Sequence, residues 1–123
     1  MINPKTIQWL EKPEKHDYLA AKSYLSLLFD EDKVDDYIKK LTKAKVTHFK
    51  AKDIFRASGL SLLGVSNSHV EKDRVKILER KSLSPLLLVR SQKYGRVVIA
   101  DGYHRLCSVY PFNEDAIIPC KIV

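Results

Sequence analysis

The sequence predicts an α+β fold, in which a small mixed sheet with flanking helices is preceded by an N-terminal helical hairpin. Two stretches of helical periodicity occupy residues 1–45, and apolar runs of strand length follow at 86–89, 97–100 and 117–123. A chain of 123 residues is large enough for one hydrophobic core and small for two. We therefore expect a single domain over 1–123, made of a helical extension (1–45) and a core (46–123).

Composition places the chain among ordinary globular proteins. It is 45% hydrophobic and 30% charged, with only 4 Gly and 5 Pro, which argues against disorder. The apolar runs are far shorter than the roughly 20 residues that cross a bilayer, and the N-terminus lacks a signal-peptide layout. A cytoplasmic protein without a membrane partner is expected, and Cys107 and Cys120 are expected to be reduced and structural.

Capping residues and apolar spacing define the helical hairpin. Asp17 is a suitable N-cap for a helix over 18–29, and Asp30 or Asp32 for a second helix in which acids come first and lysines last. The inward stripes are Tyr18, Ala21, Leu25 and Leu28 in the first helix, and Val34, Tyr37, Ile38 and Leu41 in the second.

The core is predicted to alternate strands with short helices. The expected order is a strand over 46–49, a helix over 51–57, a helix from 69 to about 81, strands over 86–89 and 97–100, a helix over 103–110 and a strand over 117–123. Ser58 and Gly59 end the first of these helices, and Ser68 and Glu71 have the spacing of a capping box for the next. Gly102 breaks the extended chain before the last helix.

The net charge of +7 is concentrated in one segment, 39–52. Its six lysines are Lys39, Lys40, Lys43, Lys45, Lys50 and Lys52. Such a segment favours a polyanionic partner and makes nucleic acid a candidate. The alternative is a solvated lysine-rich face, because the segment has no arginine and only Phe49 as a stacking ring.

The segment 101–105, Asp-Gly-Tyr-His-Arg, directly follows an apolar strand and is the best candidate for chemistry. Gly102 permits a close backbone approach or a positive φ, and free amides at a helix start attract anions. Arg105 adds a planar fork of donors, and His104 adds a titratable group. Asp101 is placed to hold Arg105, to bind a metal or to act as a base. The alternative is structural, since an Asp-Gly turn with an Asp–Arg pair can simply lock a helix start.

Four successive blocks of the sequence resemble the ParB/sulfiredoxin-like superfamily. The blocks are Phe49-Lys50-Ala51-Lys52-Asp53-Ile54, Lys72-Asp73-Arg74-Val75-Lys76-Ile77-Leu78, Ser84-Pro85-Leu86-Leu87-Leu88-Val89 and Val98-Ile99-Ala100-Asp101-Gly102-Tyr103-His104-Arg105. The likeness covers 46–123 and does not include the helical hairpin. As a whole, the chain is similar to short bacterial proteins described only as ParB-like or ParB-nuclease-like.

The resemblance implies a nucleotide site. In that superfamily the glycine-x-x-arginine segment cradles nucleotide phosphates: cytidine triphosphate in partition proteins, ATP in sulfiredoxins and ADP in an archaeal serine kinase. The implied ligand is therefore a nucleoside di- or triphosphate with magnesium, or a phosphorylated small molecule. The residues implied in binding are Gly102, Tyr103, His104, Arg105, His69 and Lys72, with Asp101 and His104 as catalytic candidates. Tyr103 equally fits packing, and His69 equally fits a role in its helix cap.

Departures from the superfamily patterns narrow the activity. Tyr103 stands where sulfiredoxins have their reactive cysteine, so sulfinic-acid reduction is not expected, and Cys107 is interpreted as a packing residue. No helix-turn-helix pattern follows the domain within these 123 residues, so chromosome partitioning in that form is not expected. His16 and His48 have no partners at ligand spacing, and neither a structural metal site nor a nuclease is predicted.

Two hypotheses from different classes remain. The first is a phosphate- or nucleotide-binding domain, with or without phosphotransfer or phosphohydrolysis on a small molecule. The second is a non-enzymatic module that binds nucleic acid or protein.

Overall fold

The computed structural model describes residues 7–123, and within them it contains five helices and one four-stranded sheet. In chain order the elements are α1 (Lys15–Leu25), α2 (Glu31–Lys43), β1 (Thr47–Lys50), α3 (Ala51–Ser58), α4 (Ser68–Leu78), β2 (Leu86–Ser91), β3 (Arg96–Asp101), α5 (Tyr103–Val109) and β4 (Ile117–Ile122). The strand order is β1-β4-β2-β3, with β4 and β2 parallel and the two outer pairs antiparallel. The predicted α+β architecture with a small mixed sheet is confirmed.

The apolar run of β2, an inner strand, is explained by helices on both faces of the sheet. Leu86 and Leu88 of β2 join a core with α3, α4 and α5, whereas Leu87 and Val89 join a second core with α1 and α2. A strand that is covered on both sides reads as a continuous apolar run rather than an alternating one. The helical extension is thus part of the packing, because α1 and α2 cover one face of the sheet.

The helical pair differs from the prediction at its first helix. Asp30 caps α2 as expected, since its carboxylate accepts a hydrogen bond from Lys33 N at 2.9 Å. Asp17 is not an N-cap: α1 begins at Lys15, and the buried Asp17 carboxylate accepts from the backbone N–H of Glu14 at 2.8 Å. The chain therefore enters α1 three residues earlier than the sequence prediction.

The capping box predicted for α4 is also wrong by one residue. Asn67 caps the helix, and its side-chain oxygen accepts from the N–H groups of His69 at 3.0 Å and Val70 at 3.2 Å. Glu71 forms an ion pair with Arg74 at 2.9 Å instead of reaching back to Ser68. This cap fixes the start of the helix that forms one wall of the site described below.

Asn67→Ala is expected to lower the free energy of unfolding by about 1 kcal/mol, because it removes the acceptor for two first-turn amides. Ser68→Ala serves as the control and should change stability by less than about 0.5 kcal/mol. Urea denaturation of both variants measures the difference. A larger loss in Ser68→Ala would support the predicted Ser68–Glu71 capping box and contradict the Asn67 cap.

None of the helices in residues 7–123 combines the length and the apolar character needed to cross a membrane.

Candidate functional site

A polar cavity of about 300 Å³ lies where β3 ends and α5 begins. Its lining comes from His16 of α1, from His69, Lys72, Asp73 and Lys76 of α4, from Asp101 of β3, and from Gly102, His104 and Arg105 at the start of α5. All of these residues except Gly102 carry a titratable or charged side chain. The carboxyl ends of strands are where ligands commonly bind in open α/β sheets.

Gly102 allows β3 to turn directly into α5. Its φ is +107°, and a Cβ at this position would lie 2.6 Å from Cγ of Leu86 and 3.0 Å from Nη2 of Arg105. The predicted positive φ is confirmed, and the packing against β2 gives the glycine a structural reason that does not depend on a ligand. No side chain caps the start of α5.

Arg105 joins three parts of the chain at this turn. Its Nη2 donates to Oδ2 of Asp101 at 2.9 Å and to the carbonyl oxygen of Pro85 at 3.2 Å. The Asp101 and Arg105 side chains are each only 15% exposed, so their ion pair is shielded from solvent. Burial raises the pKa of Asp101, Arg105 opposes that rise, and the carboxylate of Asp17 adds to it. The sequence left three roles open to Asp101: holding Arg105, binding a metal or acting as a base. The structure shows the first of them.

Two histidines lie side by side in the cavity. The rings of His69 and His104 have centroids 4.9 Å apart. Burial lowers the pKa of His104, and the neighbouring His69 lowers it further, whereas Asp73 opposes the change. Burial also raises the pKa of Asp73 despite the cations around it, of which Lys76 has the largest opposing effect. At pH 7 the imidazole of His104 is therefore neutral and able to accept a proton or a hydrogen bond.

Most of the predicted site residues meet in this cavity. The structure brings together Asp101, Gly102, His104, Arg105, His69 and Lys72. Tyr103 does not line the cavity, although its ring centroid lies 5.7 Å from that of His104. Its hydroxyl donates to the carbonyl oxygen of Ser61, in the loop between α3 and α4. Of the two roles considered for Tyr103, the geometry favours anchoring and packing.

The sequence prediction did not place α1 at the site. His16 lines the cavity, and the next residue, Asp17, is buried where α1 packs on β3. A signal was present, because Asp17, Ala21 and Leu25 follow one another at four-residue spacing and all three are buried. A carboxylate that continues an apolar stripe is buried only with a reason, since buried charges need partners.

Cys107 belongs to a separate, apolar cavity of about 240 Å³ on another side of α4 and α5. Its thiol is fully buried and accepts from the N–H of Leu63 at 3.5 Å. Burial raises the pKa of the Cys107 thiol, and burial raises that of Cys120 to about 12. Both cysteines are free and protonated at neutral pH, as expected of packing residues.

The lysine-rich segment lies at the opposite edge of the sheet from β3, around β1. Lys40 pairs with Asp36 at 2.9 Å, Lys52 pairs with Asp115 at 2.8 Å, and Lys50 lies 4.0 Å from the same Asp115 carboxylate. Part of the positive charge is therefore neutralised locally. Lysines beside an edge strand also discourage pairing with another chain, so this segment has a structural role without a polyanion.

Comparison of this chain with protein-family models, with curated proteins and with solved structures finds no match.

Proposed function

We propose that this chain is a ParB/sulfiredoxin-like domain that binds a phosphate group, of a nucleotide or of a phosphorylated small molecule, in its polar cavity. The supporting observation is the convergence of protonatable donors from two helices on one cavity. They are His69, Lys72 and Lys76 from α4 and Arg105 from α5, and the neutral imidazole of His104 lies among them. Clustered donors of this kind neutralise phosphate oxygens through charge-assisted hydrogen bonds.

The charges of the cavity are compatible with an anion. Three permanent cations face two carboxyls, Asp73 and Asp101, whose pKa values are both raised by burial. Each raised pKa lowers the cost of bringing a negative group close. Lys72 is exposed and Lys76 is partly exposed, so both are accessible to a ligand that enters from solvent.

The cavity size limits how much of a ligand is enclosed. A volume of about 300 Å³ is at the lower end of ligand sites, which run from roughly 300 to 1,000 Å³. Phosphate groups with a small substituent fit this volume, and the base of a nucleotide would extend beyond it. Among the described residues, no group of three or more His, Cys, Asp or Glu side chains is arranged to hold a metal ion. A magnesium ion would therefore be bound mainly by the ligand's own phosphates.

If the bound compound is turned over, the cavity offers acid–base groups for phosphotransfer or phosphohydrolysis. The neutral imidazole of His104 would accept a proton from an attacking hydroxyl or water. Asp101 would supply or receive a proton beside it, and Arg105 and Lys72 would offset the charge of the phosphoryl oxygens. These roles extend the binding proposal and need the same site.

A thermal-shift experiment with two matched double variants tests phosphate binding. Lys72→Ala/Lys76→Ala removes two cavity lysines four residues apart on α4, and Lys39→Ala/Lys43→Ala removes two exposed lysines with the same spacing on α2. The ligands are ATP, ADP, CTP, GTP, phosphoserine and inorganic phosphate, each with and without magnesium. At about 100 times its Kd, a ligand should stabilise the parent by about 2.7 kcal/mol, or several degrees.

The α4 double variant should bind at least about tenfold more weakly, since each charge-assisted contact contributes roughly 1.5 kcal/mol or more. The α2 double variant should bind like the parent. Equal loss in both variants would point to net charge rather than to the cavity. Absence of any shift at millimolar concentrations of all six compounds would refute the proposal.

The same two double variants distinguish nucleic-acid binding through the lysine-rich segment from phosphate binding in the cavity. Binding through the lysine-rich segment would be weakened by Lys39→Ala/Lys43→Ala and would fall steeply with salt, because phosphate contacts release counterions. The ion pairs of Lys40 and Lys52 reduce the charge available there. We therefore keep this function as the second candidate.

A further inference from the structure

Most polar side chains of the cavity form no hydrogen bond or ion pair with one another. Arg105 and Asp101 are paired at 2.9 Å, and His16 contacts acids at the start of its own helix. The remaining polar side chains of the lining neither donate nor accept a side-chain hydrogen bond within the described part of the chain; they are His69, Lys72, Asp73, Lys76 and His104. These groups are therefore available to a ligand.

Asp73 is the acid of this unpaired set. It is partly buried on α4, and it forms an ion pair with neither Lys72 nor Lys76. Such a pair is ordinary at this spacing, because Glu71 and Arg74, three residues apart on the same helix, are 2.9 Å from each other. The Asp73 side chain lines the cavity instead, and its oxygens have no donor among the described residues.

A bare phosphate group would match only part of this lining. Its oxygens would accept hydrogen bonds from the ammonium groups of Lys72 and Lys76. In either protonation state, the carboxyl of Asp73 keeps at least one oxygen that can only accept, and a phosphate oxygen opposite it supplies no donor. A ligand that satisfies the whole lining must therefore carry a donor close to its phosphate.

The charge of the cavity favours a neutral donor. Lys72, Lys76 and Arg105 are permanent cations in the lining. An ammonium group on the ligand would be repelled by the two lysines of α4, whereas a hydroxyl group donates without adding charge. The expected donor is therefore a hydroxyl.

The lining offers little surface to a nucleobase. Its two rings, those of His69 and His104, lie against each other with centroids 4.9 Å apart. Tyr103 does not line the cavity, and its hydroxyl is bonded to the carbonyl oxygen of Ser61. Since bases are commonly held by stacking on aromatic side chains, the cavity is better suited to a ligand without one.

We propose that the ligand of the polar cavity is a small phosphorylated compound with hydroxyl groups, a polyol phosphate, and that Asp73 selects it by accepting a hydrogen bond from a hydroxyl near the phosphate. Lys72 and Lys76 hold the phosphate oxygens in this arrangement. The inference rests on the proposed function and adds the class of compound to which the phosphate belongs.

The test compares glycerol phosphate with propyl phosphate, which has the same carbon chain and phosphate but no hydroxyl. Isothermal titration calorimetry of the parent should give a Kd at least about tenfold lower for glycerol phosphate, because a hydrogen bond to a charged group is worth about that factor or more. AMP and ribose phosphate differ only by the base and should bind within about threefold of each other.

Two variants locate the selection. In Asp73→Ala the advantage of glycerol phosphate over propyl phosphate should be lost, while inorganic phosphate binds as tightly as to the parent or more tightly, because a nearby acid is gone. Asp35→Ala is the matched control, since it removes an acid of α2 that is 55% exposed and lies outside the cavity. It should keep the advantage of glycerol phosphate.

The outcomes separate this inference from the proposed function. Equal Kd values for glycerol phosphate and propyl phosphate in the parent would overturn selection by Asp73 and leave phosphate binding intact. AMP binding at least about tenfold more tightly than ribose phosphate would overturn it in favour of a nucleotide. Both comparisons use the parent, so they decide the question even if Asp73→Ala does not fold. Failure of every compound to bind, inorganic phosphate included, would refute the proposed function itself.

Discussion

Gly102→Ala is expected to lower the free energy of unfolding by about 4 kcal/mol, enough to leave a domain of ordinary stability close to unfolding. Two costs add at this position. A non-glycine residue at φ +107° costs roughly 1 to 3 kcal/mol, and forcing a methyl group into a filled space costs a similar amount. The methyl group would overlap Cγ of Leu86 at 2.6 Å, and Leu86 of β2 is fully buried in the core that it forms with α3, α4 and α5.

Two other glycines make the prediction specific. Gly95 has a φ of +64°, and a Cβ added there would meet no atom within 4 Å. Gly95→Ala should therefore show only the backbone cost of about 1 kcal/mol. Gly64→Ala meets open space without a positive φ and should change stability by less than about 0.5 kcal/mol. Urea denaturation of the three variants should give losses in the order Gly102, Gly95, Gly64. Equal losses for Gly102→Ala and Gly95→Ala would contradict the packing against Leu86.

Local sequence signals were sufficient for the order of the elements. The apolar runs at 86–89 and 97–100 became the adjacent strands β2 and β3, because a strand buried on both faces needs no polar alternation. Gly59 ends α3 in a left-handed conformation, as its position after a short helical stretch predicts. These features depend on a few neighbouring residues, which is why the sequence alone reveals them.

The errors at the helix starts come from competition between equally good caps. Asn67 and Ser68 are adjacent, and either can accept from first-turn amides, so spacing alone could not choose between them. At α1 the choice depended on tertiary structure. Asp17 is buried where α1 packs on β3, a strand far away in sequence, and Glu14 begins the helix in its place. Local propensity contains no information about such a contact.

The candidate site was predictable in part, because one of its segments is continuous in the sequence. Segment 101–105 combines a glycine with three chemically capable side chains, so its place at the end of β3 could be read directly. The direction in which each side chain points could not be predicted from the sequence. Tyr103 and His104 are neighbours on a short helix, yet Tyr103 contacts Ser61 while His104 lines the cavity. The contribution of His16 required the packing of α1 on β3, which no local pattern specifies.

Arg105→Ala is expected to lower the free energy of unfolding by about 3 kcal/mol, because it leaves the Asp101 carboxyl buried without its cation. It also removes the tie to the Pro85 carbonyl that holds the start of β2. Arg56→Ala is the matched control: Arg56 pairs with Asp53 at 3.9 Å with the arginine 83% exposed, so its loss should cost less than about 1 kcal/mol. Similar losses in the two variants would mean that burial adds nothing to the Asp101–Arg105 pair.

The loss in Arg105→Ala should grow as the pH rises. Burial holds the pKa of Asp101 above its ordinary value, so the stability contributed by this group is present in acid and is lost as the pH rises through the folded-state pKa. Removing Arg105 takes away the charge that opposes this rise, which raises the pKa of Asp101 further and enlarges the loss near neutrality. Urea denaturation of parent and variant at about pH 5 and about pH 8 measures the change. A difference independent of pH would mean that Arg105 stabilises the fold through the Pro85 carbonyl and packing, without an ionised partner at Asp101.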